Sequence, residues 1–395
     1  MPWKQWQLGD TVTINRIVWD GLESEFIADV MERDWFGPGY YANQLENALS
    51  KFIGTKHAQL TNSGSSALLL ATQALQLLGE WHKGDLILHP ACTFPTSCNP
   101  IVQSGMIPVF VDVEEGTYNL DTEKAKEAFD RYDIKGAIIP HLLGNSPDMN
   151  ALLELLDGKP LIEDCCDTLG SRYDNQMAGT FGNIAALSFY GSHHITTAGV
   201  GGALLTDNDK IADLVKSMAF WGRQFITTGD PYFDFTQRYT YETIGYDMQM
   251  SEIQAAFGLA QMQRLKEANR RRDEQFKLTY DFMSKWQDWL ILPKSHSLAS
   301  PNWFGFPITI RDDAPFQREA LARHLLLAKI EIRPLFAGNI TKQQAYKSIP
   351  YIIVGSLEQS NRNMKSALFL PAWGGMTKEV TSYLFDVIER FFRQW

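Results

Sequence analysis

The chain has 395 residues, of which 45% are hydrophobic and 21% are charged, a composition typical of a globular protein rather than a disordered, fibrous or membrane-spanning one. The length predicts two domains, or one large α/β domain that carries a smaller one. Acidic side chains outnumber basic ones by 46 to 36, and the net charge of −10 disfavours nonspecific binding to nucleic acid or to anionic membranes.

The four cysteines, at positions 92, 98, 165 and 166, are too few for a secreted disulfide framework. Their spacing does not repeat the CxxC pairs of a zinc site, so we expect no structural metal. The first residues show no basic segment followed by an apolar stretch, and the sequence has no run of about 18 apolar residues. These features predict a reduced, cytoplasmic protein.

Between about residues 50 and 206, short apolar or β-branched runs alternate with helical patterns. This alternation predicts repeated βα units and a mostly parallel sheet. The predicted strands cover residues 57–61, 85–89, 107–113, 136–140, 160–164, 185–188 and 201–206. The amphipathic stretches 65–78 and 120–129 are predicted to be helices between them.

A long helical pattern runs from residue 251 to about 285 and leads towards a second region. That region contains one further strand pattern, residues 304–310, and two more helical patterns. We therefore predict an α/β fold with a mostly parallel central sheet, residues 1–265, and a smaller C-terminal α+β domain, residues 266–395.

The segment Asn62-Ser63-Gly64-Ser65 follows a predicted strand and opens a predicted helix. At such a junction the first N–H groups of the helix are free and the helix dipole is positive, so the segment is a candidate phosphate site. The alternative is an ordinary N-capped helix after a tight turn.

Two further strand ends carry residues that could face a cofactor. Asp164 ends an apolar strand, where it could meet a cationic ring nitrogen or simply cap the next helix. Phe94 follows the strand that ends at His89 and could stack on a planar cofactor or belong to the core. The adjacent Cys165 and Cys166 are interpreted as small core residues.

A loop that begins after Ser188 contains the adjacent pair His193 and His194, flanked by hydroxyl residues and glycines. We expect both imidazoles to be exposed enough to titrate, which favours acid–base chemistry. A structural role and metal ligation are the alternatives, although clustered ligand partners for a metal are missing from the sequence pattern.

The order of these motifs resembles the fold-type I pyridoxal phosphate enzymes, and specifically the DegT/DnrJ/StrS family of sugar aminotransferases. The resemblance extends over nearly the whole chain, through residues 35–39, 62–67, 108–112, 162–164, 182–190, 251–256 and 369–371. It implies a fold-type I enzyme that binds pyridoxal or pyridoxamine 5'-phosphate and assembles as a homodimer.

The family normally has a lysine, which binds the cofactor covalently, at the position that His193 occupies here. The same replacement marks a branch of the family, the nucleotide-sugar 4-keto-6-deoxyhexose 3-dehydratases, which residues 141–145, 193–196 and 335–341 also resemble. One kind of this branch carries an iron–sulfur cluster on cysteines just after a Trp-Gly-Arg segment. Here Arg223 is followed by Gln224, Phe225 and Ile226, so the resemblance implies the cluster-free kind.

Transferred to this sequence, the resemblance implies the following site. His193 would take a proton from the cofactor methylene carbon. Gly64, Ser65 and Ser188 would hold the cofactor phosphate, Phe94 would stack on its ring, and Asp164 would pair with its ring nitrogen. The candidate substrate-binding residues are Arg223, His194 and Asn339. The implied substrate is a nucleotide-linked 4-keto-6-deoxyhexose, and glutamate would be the amino donor.

Several positions depart from the family pattern. Asp247 stands where the family usually has an asparagine that reaches the cofactor phosphate of the neighbouring subunit, and an ionised carboxylate there would repel that phosphate. Gln249, Val200 and Gly191 also replace the usual residues. Two alternatives therefore stay open: a sugar aminotransferase in which another group replaces the lysine, and a non-catalytic binder of cofactor or sugar nucleotide.

Overall fold

The structure, a computed structural model, describes residues 6–225 and 228–395. Its strands are β1 (His57–Thr61), β2 (Leu86–Pro90), β3 (Ile107–Val111), β4 (Ile134–Pro140), β5 (Leu161–Asp164), β6 (Arg172–Tyr173), β7 (Gln176–Met177), β8 (Ile184–Ser188), β9 (Gly202–Thr206), β10 (Leu290–Ile291), β11 (Ala299–Ser300), β12 (Phe306–Ile310), β13 (Arg333–Pro334), β14 (Ile352–Ile353) and β15 (Ala367–Leu370). All seven strands predicted between residues 57 and 206 are present, with ends that differ by at most two residues.

The helices begin mostly at residues that can cap them. They are α1 (Leu22–Arg33), α2 (Tyr40–Ile53), α3 (Gly64–Leu77), α4 (Pro95–Gln103), α5 (Thr122–Arg131), α6 (Met149–Leu156), α7 (Asp209–Ala219), α8 (Pro231–Gln237), α9 (Glu252–Met283), α10 (Arg318–Leu327), α11 (Glu358–Ser366) and α12 (Lys378–Phe392). The predicted long helix is α9, which starts with a capping box in which Ser251 and Gln254 satisfy each other's backbone N–H groups. The region after residue 290 has three α-helices where two were predicted.

The large sheet has eight strands in the order β1-β9-β8-β5-β4-β2-β3-β14. Within it β9 runs antiparallel to both neighbours, and the other pairs of neighbours are parallel. The predicted mostly parallel α/β sheet is confirmed. Because β1, β2, β5 and β8 point the same way, their carboxyl ends meet at one edge, and the segments that follow them lie close together.

Helices cover both faces of this sheet, and the alternation of side chains along β8 shows why. Ala186 packs in an apolar cluster with α3 and α7, whereas Ala185 and Leu187 pack in a second cluster with α2 and α9. A strand whose successive side chains face two helical layers is buried on both sides, so small and aliphatic residues are needed at every position.

The C-terminal region is built around an antiparallel sheet in the order β10-β12-β15-β13. Its apolar cluster joins this sheet to α10, α12 and the end of α9, and it also includes Val12 from the amino-terminal segment. In the other direction, Ile352 of β14 pairs with Val109 in the large sheet. The predicted boundary near residue 265 lies inside α9, and the division into two domains stays a prediction.

No helix among residues 6–225 and 228–395 is both long enough and apolar enough to cross a membrane.

Candidate active site

The amino terminus of α3 lies at the carboxyl edge of the large sheet. Ser63 caps the helix by accepting a hydrogen bond from the Ser66 N–H at 3.1 Å. Gly64 is buried, and a Cβ atom there would lie 2.8 Å from the Cys166 Sγ and 2.9 Å from the Ser188 Cβ. Glycine lets the helix start pack against the ends of β5 and β8, and the free N–H groups of the first turn form a cradle for an anion.

Two hydroxyl residues flank this cradle. Ser65 is exposed in the first turn of α3, and Ser188 is partly exposed at the end of β8. The Ser188 hydroxyl accepts a hydrogen bond from the Tyr190 N–H at 3.3 Å and keeps its own proton to donate. The structure thus brings together Gly64, Ser65 and Ser188, the three residues predicted to hold the cofactor phosphate.

Asp164 ends β5 with a carboxylate that is almost fully buried. One oxygen accepts a hydrogen bond from the Ser97 hydroxyl at 2.5 Å, and the other accepts one from the Cys166 N–H at 3.1 Å. No cationic side chain of the described residues forms an ion pair with it. Because a buried charge needs a partner of opposite sign, Asp164 is suited to a cationic group such as a protonated ring nitrogen.

Phe94 directly precedes α4, the helix that carries Ser97. Its ring is 49% exposed and meets the ring of Phe336 edge to face, with 5.8 Å between the centroids. The segment that contains Phe336 is attached to the end of β2, since the Ala337 N–H donates to the Thr93 carbonyl at 3.2 Å. The exposed part of the Phe94 ring remains available for a planar ligand.

His193 and Asp167 face each other at this edge of the sheet. The His193 Nε2 lies 3.6 Å from the Asp167 Oδ1, and both side chains are mostly buried. Burial and the nearby charge of Arg272 lower the pKa of His193 to about 4, while burial and the Asp164 charge raise the pKa of Asp167 to about 7. The second imidazole nitrogen of His193, Nδ1, is buried and has no hydrogen-bond partner. The imidazole is therefore neutral, with one nitrogen facing a carboxyl group and the other unengaged.

His194 is directed differently from its neighbour. It is 5% exposed, and its Nε2 donates to the Asn302 carbonyl at 3.1 Å. Burial pushes the pKa of His194 well below its usual range. The expectation that both histidines are exposed was wrong, because the ring of Phe304 packs against both imidazoles, at centroid distances of 5.2 Å from His193 and 6.1 Å from His194.

Residues 220–225 and 228–249 lie largely at the surface. The Arg223 guanidinium lies over the Phe225 ring, 5.6 Å from its centroid, and its buried Nε has no hydrogen-bond partner. The exposed Asp247 accepts a hydrogen bond from the Gln249 amide at 3.1 Å, so two of the departures from the family pattern contact each other. Ile226, part of the segment without cysteines, lies outside the described residues.

Asn339 is 1% exposed and its side chain is engaged within the chain. The amide oxygen accepts hydrogen bonds from the Thr341 N–H and hydroxyl, and the amide nitrogen donates to the Asn361 oxygen at 2.9 Å. This arrangement caps the short helical turn at 340–342. The predicted contact of Asn339 with substrate stays a prediction.

A buried group of possible metal ligands, His141, Glu163 and Cys165, lies on the neighbouring part of the sheet. The Glu163 carboxylate already accepts hydrogen bonds from His141 at 2.9 Å and from the backbone N–H groups of residues 179, 181 and 182. These bonds anchor the turn that precedes β8, so the group has a structural explanation. The expectation of no structural metal stays a prediction.

Residues 20–389 match the DegT/DnrJ/EryC1/StrS aminotransferase family. The chain belongs to this family. It is 36% identical over 391 residues to the lipopolysaccharide biosynthesis protein RfbH of Salmonella typhimurium, covering 94% of this chain and 89% of the relative. It is also 34% identical over 376 residues to the dTDP-4-dehydro-2,6-dideoxy-D-glucose 3-dehydratase of Saccharopolyspora spinosa, covering 89% and 80% of the two chains.

The same fold is found in solved structures of the DegT family. The structure of a GDP-4-keto-6-deoxy-D-mannose 3-dehydratase from Escherichia coli, solved with bound hydrated pyridoxal phosphate, superposes with a TM-score of 0.88 at 28% identity and covers 96% of this chain and 99% of the other. A mutant of GDP-4-keto-6-deoxymannose-3-dehydratase with bound GDP-perosamine gives the same TM-score, covering 95% and 100% of the two chains. The predicted family and aminotransferase fold are confirmed.

The sequence did not identify three of the residues that complete this site. Asp167 carried a signal, because it is a third acidic residue just after the strand that ends in Glu163 and Asp164. No local signal in the sequence points to Ser97, because Ser97 and Asp164 are 67 positions apart in the chain. Arg272, which lowers the pKa of His193, is the buried member of the run Arg270-Arg271-Arg272 in α9, and nothing in that run marks it as buried.

Proposed function

We propose that this member of the DegT family is a pyridoxamine phosphate-dependent 3-dehydratase of a nucleotide-linked 4-keto-6-deoxyhexose. The observation that carries the proposal is the neutral His193, which faces Asp167 through one nitrogen and leaves the other without a partner. Relatives named as sugar 3-dehydratases, aligned over most of both chains, support the substrate class.

The strand-edge residues fit the cofactor. In the proposal Gly64, Ser65 and Ser188 hold its phosphate at the start of α3. Asp164 pairs with its ring nitrogen, which supplies the cation that this buried carboxylate lacks, and Phe94 covers the ring. When bound, the cofactor supplies an electron sink and an amine that condenses with the sugar carbonyl.

In the proposal, His193 transfers a proton from the reacting carbon to the 3-hydroxyl group of the sugar. With Asp167 ionised, the His193 Nε2–H faces its carboxylate, so the lone pair is on Nδ1, and that atom would take the proton from the reacting carbon. The positive charge that the imidazole then gains is stabilised by Asp167. The same Nδ1–H can return its proton to the 3-hydroxyl, which leaves as water. Burial of both side chains keeps bulk water from competing for this proton.

The substrate and partner assignments are part of the same proposal. Arg223, with an unsatisfied Nε, is the candidate for the substrate diphosphate, and His194 and Asn339 are the other proposed substrate-binding residues. Glutamate returns the amine to the cofactor; a related dehydratase has been captured as a PLP–glutamate geminal diamine. Asp247 faces the cofactor phosphate of a second copy in a homodimer, and the enzyme works in the cytoplasm.

We further propose that no iron–sulfur cluster is present. All four cysteines lie in the described part of the chain, and three of them are buried. Burial raises the pKa of the Cys92 and Cys98 thiols to about 12, which disfavours the thiolate form that a cluster needs. Iron and sulfide analysis of the purified protein tests this point, and stoichiometric iron would contradict it.

The test is mass spectrometry of the products from a panel of nucleotide-linked 4-keto-6-deoxyhexoses, with glutamate and cofactor present. The proposal predicts a product that has lost one oxygen atom and gained no nitrogen, together with 2-oxoglutarate and ammonia. A product that keeps its oxygen and gains an amine would identify an aminotransferase instead. Binding of cofactor without conversion of any sugar would identify a non-catalytic binder.

A further inference from the structure

A cavity of ≈ 210 Å³ lies on the α9 side of the loop that carries the two histidines. It is bordered by α9, residues 16–18 and 20 of the amino-terminal segment, His194 and the turn at residues 374–375, and it is partly open to solvent. Four arginines line it, at positions 16, 264, 271 and 272, together with Asp20 and Glu267. In a chain of net charge −10, this is a locally cationic space.

The charges in the cavity are not all paired. Arg264 forms ion pairs with Asp20 and with the buried Glu23, and Arg271 pairs with Glu267 at 2.7 Å. These contacts neutralise most of the charges that line the cavity. Arg16, exposed at the cavity, and Arg272, within it, are left without a carboxylate partner in the described part of the chain.

Arg272 is the decisive residue because it is 4% exposed. Its two terminal nitrogens donate to the Phe304 carbonyl at 3.1 Å and to the Asn15 oxygen at 3.5 Å, and its Nε has no partner. Burial lowers the pKa of Arg272 to about 10, although the nearby charges of Asp273 and Asp167 act in the opposite direction. The carboxylates of Asp167 and Asp273 act on this charge from nearby, but neither forms an ion pair with it. A buried guanidinium whose hydrogen-bond partners are all neutral is stabilised by an anion that reaches it.

His194, which also lines the cavity, carries a second unsatisfied atom. Because its Nε2 donates to the Asn302 carbonyl and the ring is neutral, its Nδ1 carries a lone pair, and this buried atom has no partner. The cavity therefore offers a donor on Arg272 and an acceptor on His194. A ligand that satisfies both must carry an anionic oxygen and an O–H group together.

We propose that this cavity is a binding site for a small protonated oxyanion of the hydrogen phosphate type, which accepts from Arg272, donates to His194 and is attracted by Arg16. The site is separate from the cofactor cradle, and its existence does not depend on the proposed reaction. Because the Arg272 charge also lowers the pKa of His193, a bound anion would offset that charge and make His193 more basic.

Crystals of the enzyme with its cofactor, soaked in arsenate, test the location. Arsenate keeps the O–H group of hydrogen phosphate and scatters anomalously. An anomalous peak within hydrogen-bond distance of the Arg272 guanidinium and the His194 Nδ1 is expected. Absence of a peak in the cavity, at concentrations that give peaks elsewhere, would overturn the proposal.

Calorimetric titration of the same holoenzyme with inorganic phosphate and with sulfate tests the chemistry. Phosphate should bind more tightly, because sulfate has no proton to donate to His194 at neutral pH. Arg272→Gln should weaken phosphate binding by about tenfold or more. Arg16→Gln, at an exposed position where folding is not at risk, should weaken it several-fold, and Arg323→Gln, exposed and distant from the cavity, should leave it unchanged. Equal affinities for the two anions, or equal effects of the Arg16 and Arg323 variants, would contradict the proposal.

Discussion

The strand-edge region and the 220–249 region differ in how far their side chains are buried and partnered within a single chain. At the strand edge, Asp164 accepts a hydrogen bond from Ser97, His193 faces Asp167, and all four side chains are largely buried. The 220–249 region instead exposes a series of large apolar residues, namely Trp221, Phe225, Tyr232, Phe233, Phe235, Tyr239, Tyr241 and Ile244. Exposed apolar surface of this extent indicates a contact with another protein surface.

This difference divides the residues of the proposed site into two groups. The groups that would hold the cofactor and move the proton are assembled by one fold. The groups that would complete the site, Arg223 and Asp247, lie in the region that a second copy would cover. Variants at the strand edge should therefore have large effects within one chain, whereas variants in the exposed region should have small effects that depend on the proposed dimer.

The largest effect is expected for His193→Asn. Removing the proton-transferring imidazole should lower kcat by about 10²–10⁴-fold. Cofactor affinity, followed by absorbance titration, should change little, because no cofactor-holding role is assigned to His193. His82→Asn, the same substitution at an exposed histidine, is the matched control. A His193→Asn enzyme with normal kcat would remove the basis of the proposed function.

His193→Lys sharpens the same comparison. A lysine at this position can bind the cofactor covalently, so borohydride should fix the cofactor on the variant but not on the native chain. Mass spectrometry of the intact protein reads this out directly. Borohydride fixation on the native chain would show that another residue performs the role of the missing lysine.

Asp164→Asn comes next. The variant removes the buried negative charge while keeping the shape of the side chain, and cofactor binding should weaken by about 1.5–3 kcal/mol, the usual contribution of a hydrogen bond to a charged group. The change should be absent in Asp130→Asn, where the carboxylate is exposed on α5. Equal cofactor affinity in the two variants would place the ring nitrogen elsewhere.

Asp167→Asn should change the pH profile rather than cofactor binding. The pKa of Asp167 is raised to about 7, so the carboxylate that orients His193 is lost as the pH falls below 7. In the native enzyme kcat/KM should therefore decline through that range. His193 itself stays neutral down to about pH 4, so the limb near pH 7 should disappear in the Asn variant. The level of kcat at pH 8 should also fall, and Asp167→Glu should restore part of it. A limb near pH 7 that persists in Asp167→Asn would assign it to another group.

The smallest effect is expected for Asp247→Asn. If Asp247 faces the cofactor phosphate of a second copy, removing its charge should tighten cofactor binding by a few-fold. Its contact with the Gln249 amide can be kept by an asparagine oxygen. Asp288→Asn, on an exposed turn, controls for the change in net charge. Unchanged or weaker binding would show that Asp247 does not face the phosphate.

Much of the fold and part of the site could be predicted from the sequence because the relevant signals are local. The seven central strands were evident as short apolar runs, and Ser63-Gly64 was recognisable as a helix start because capping acts over only a few residues. The strand-end positions of Asp164 and Ser188 followed, since parallel strands bring their carboxyl ends to one edge.

The tertiary structure alone decided which side chains are buried and which atoms meet. His193 and His194 are neighbours in sequence, yet one faces Asp167 and the other the Asn302 carbonyl. Phe304, which packs against both rings, and Arg272, whose charge lowers both pKa values, are distant from the histidines in the chain. Local periodicity specifies how a segment folds, but the electrostatic environment of a residue depends on which segments pack together, and that is determined only when the whole chain has folded.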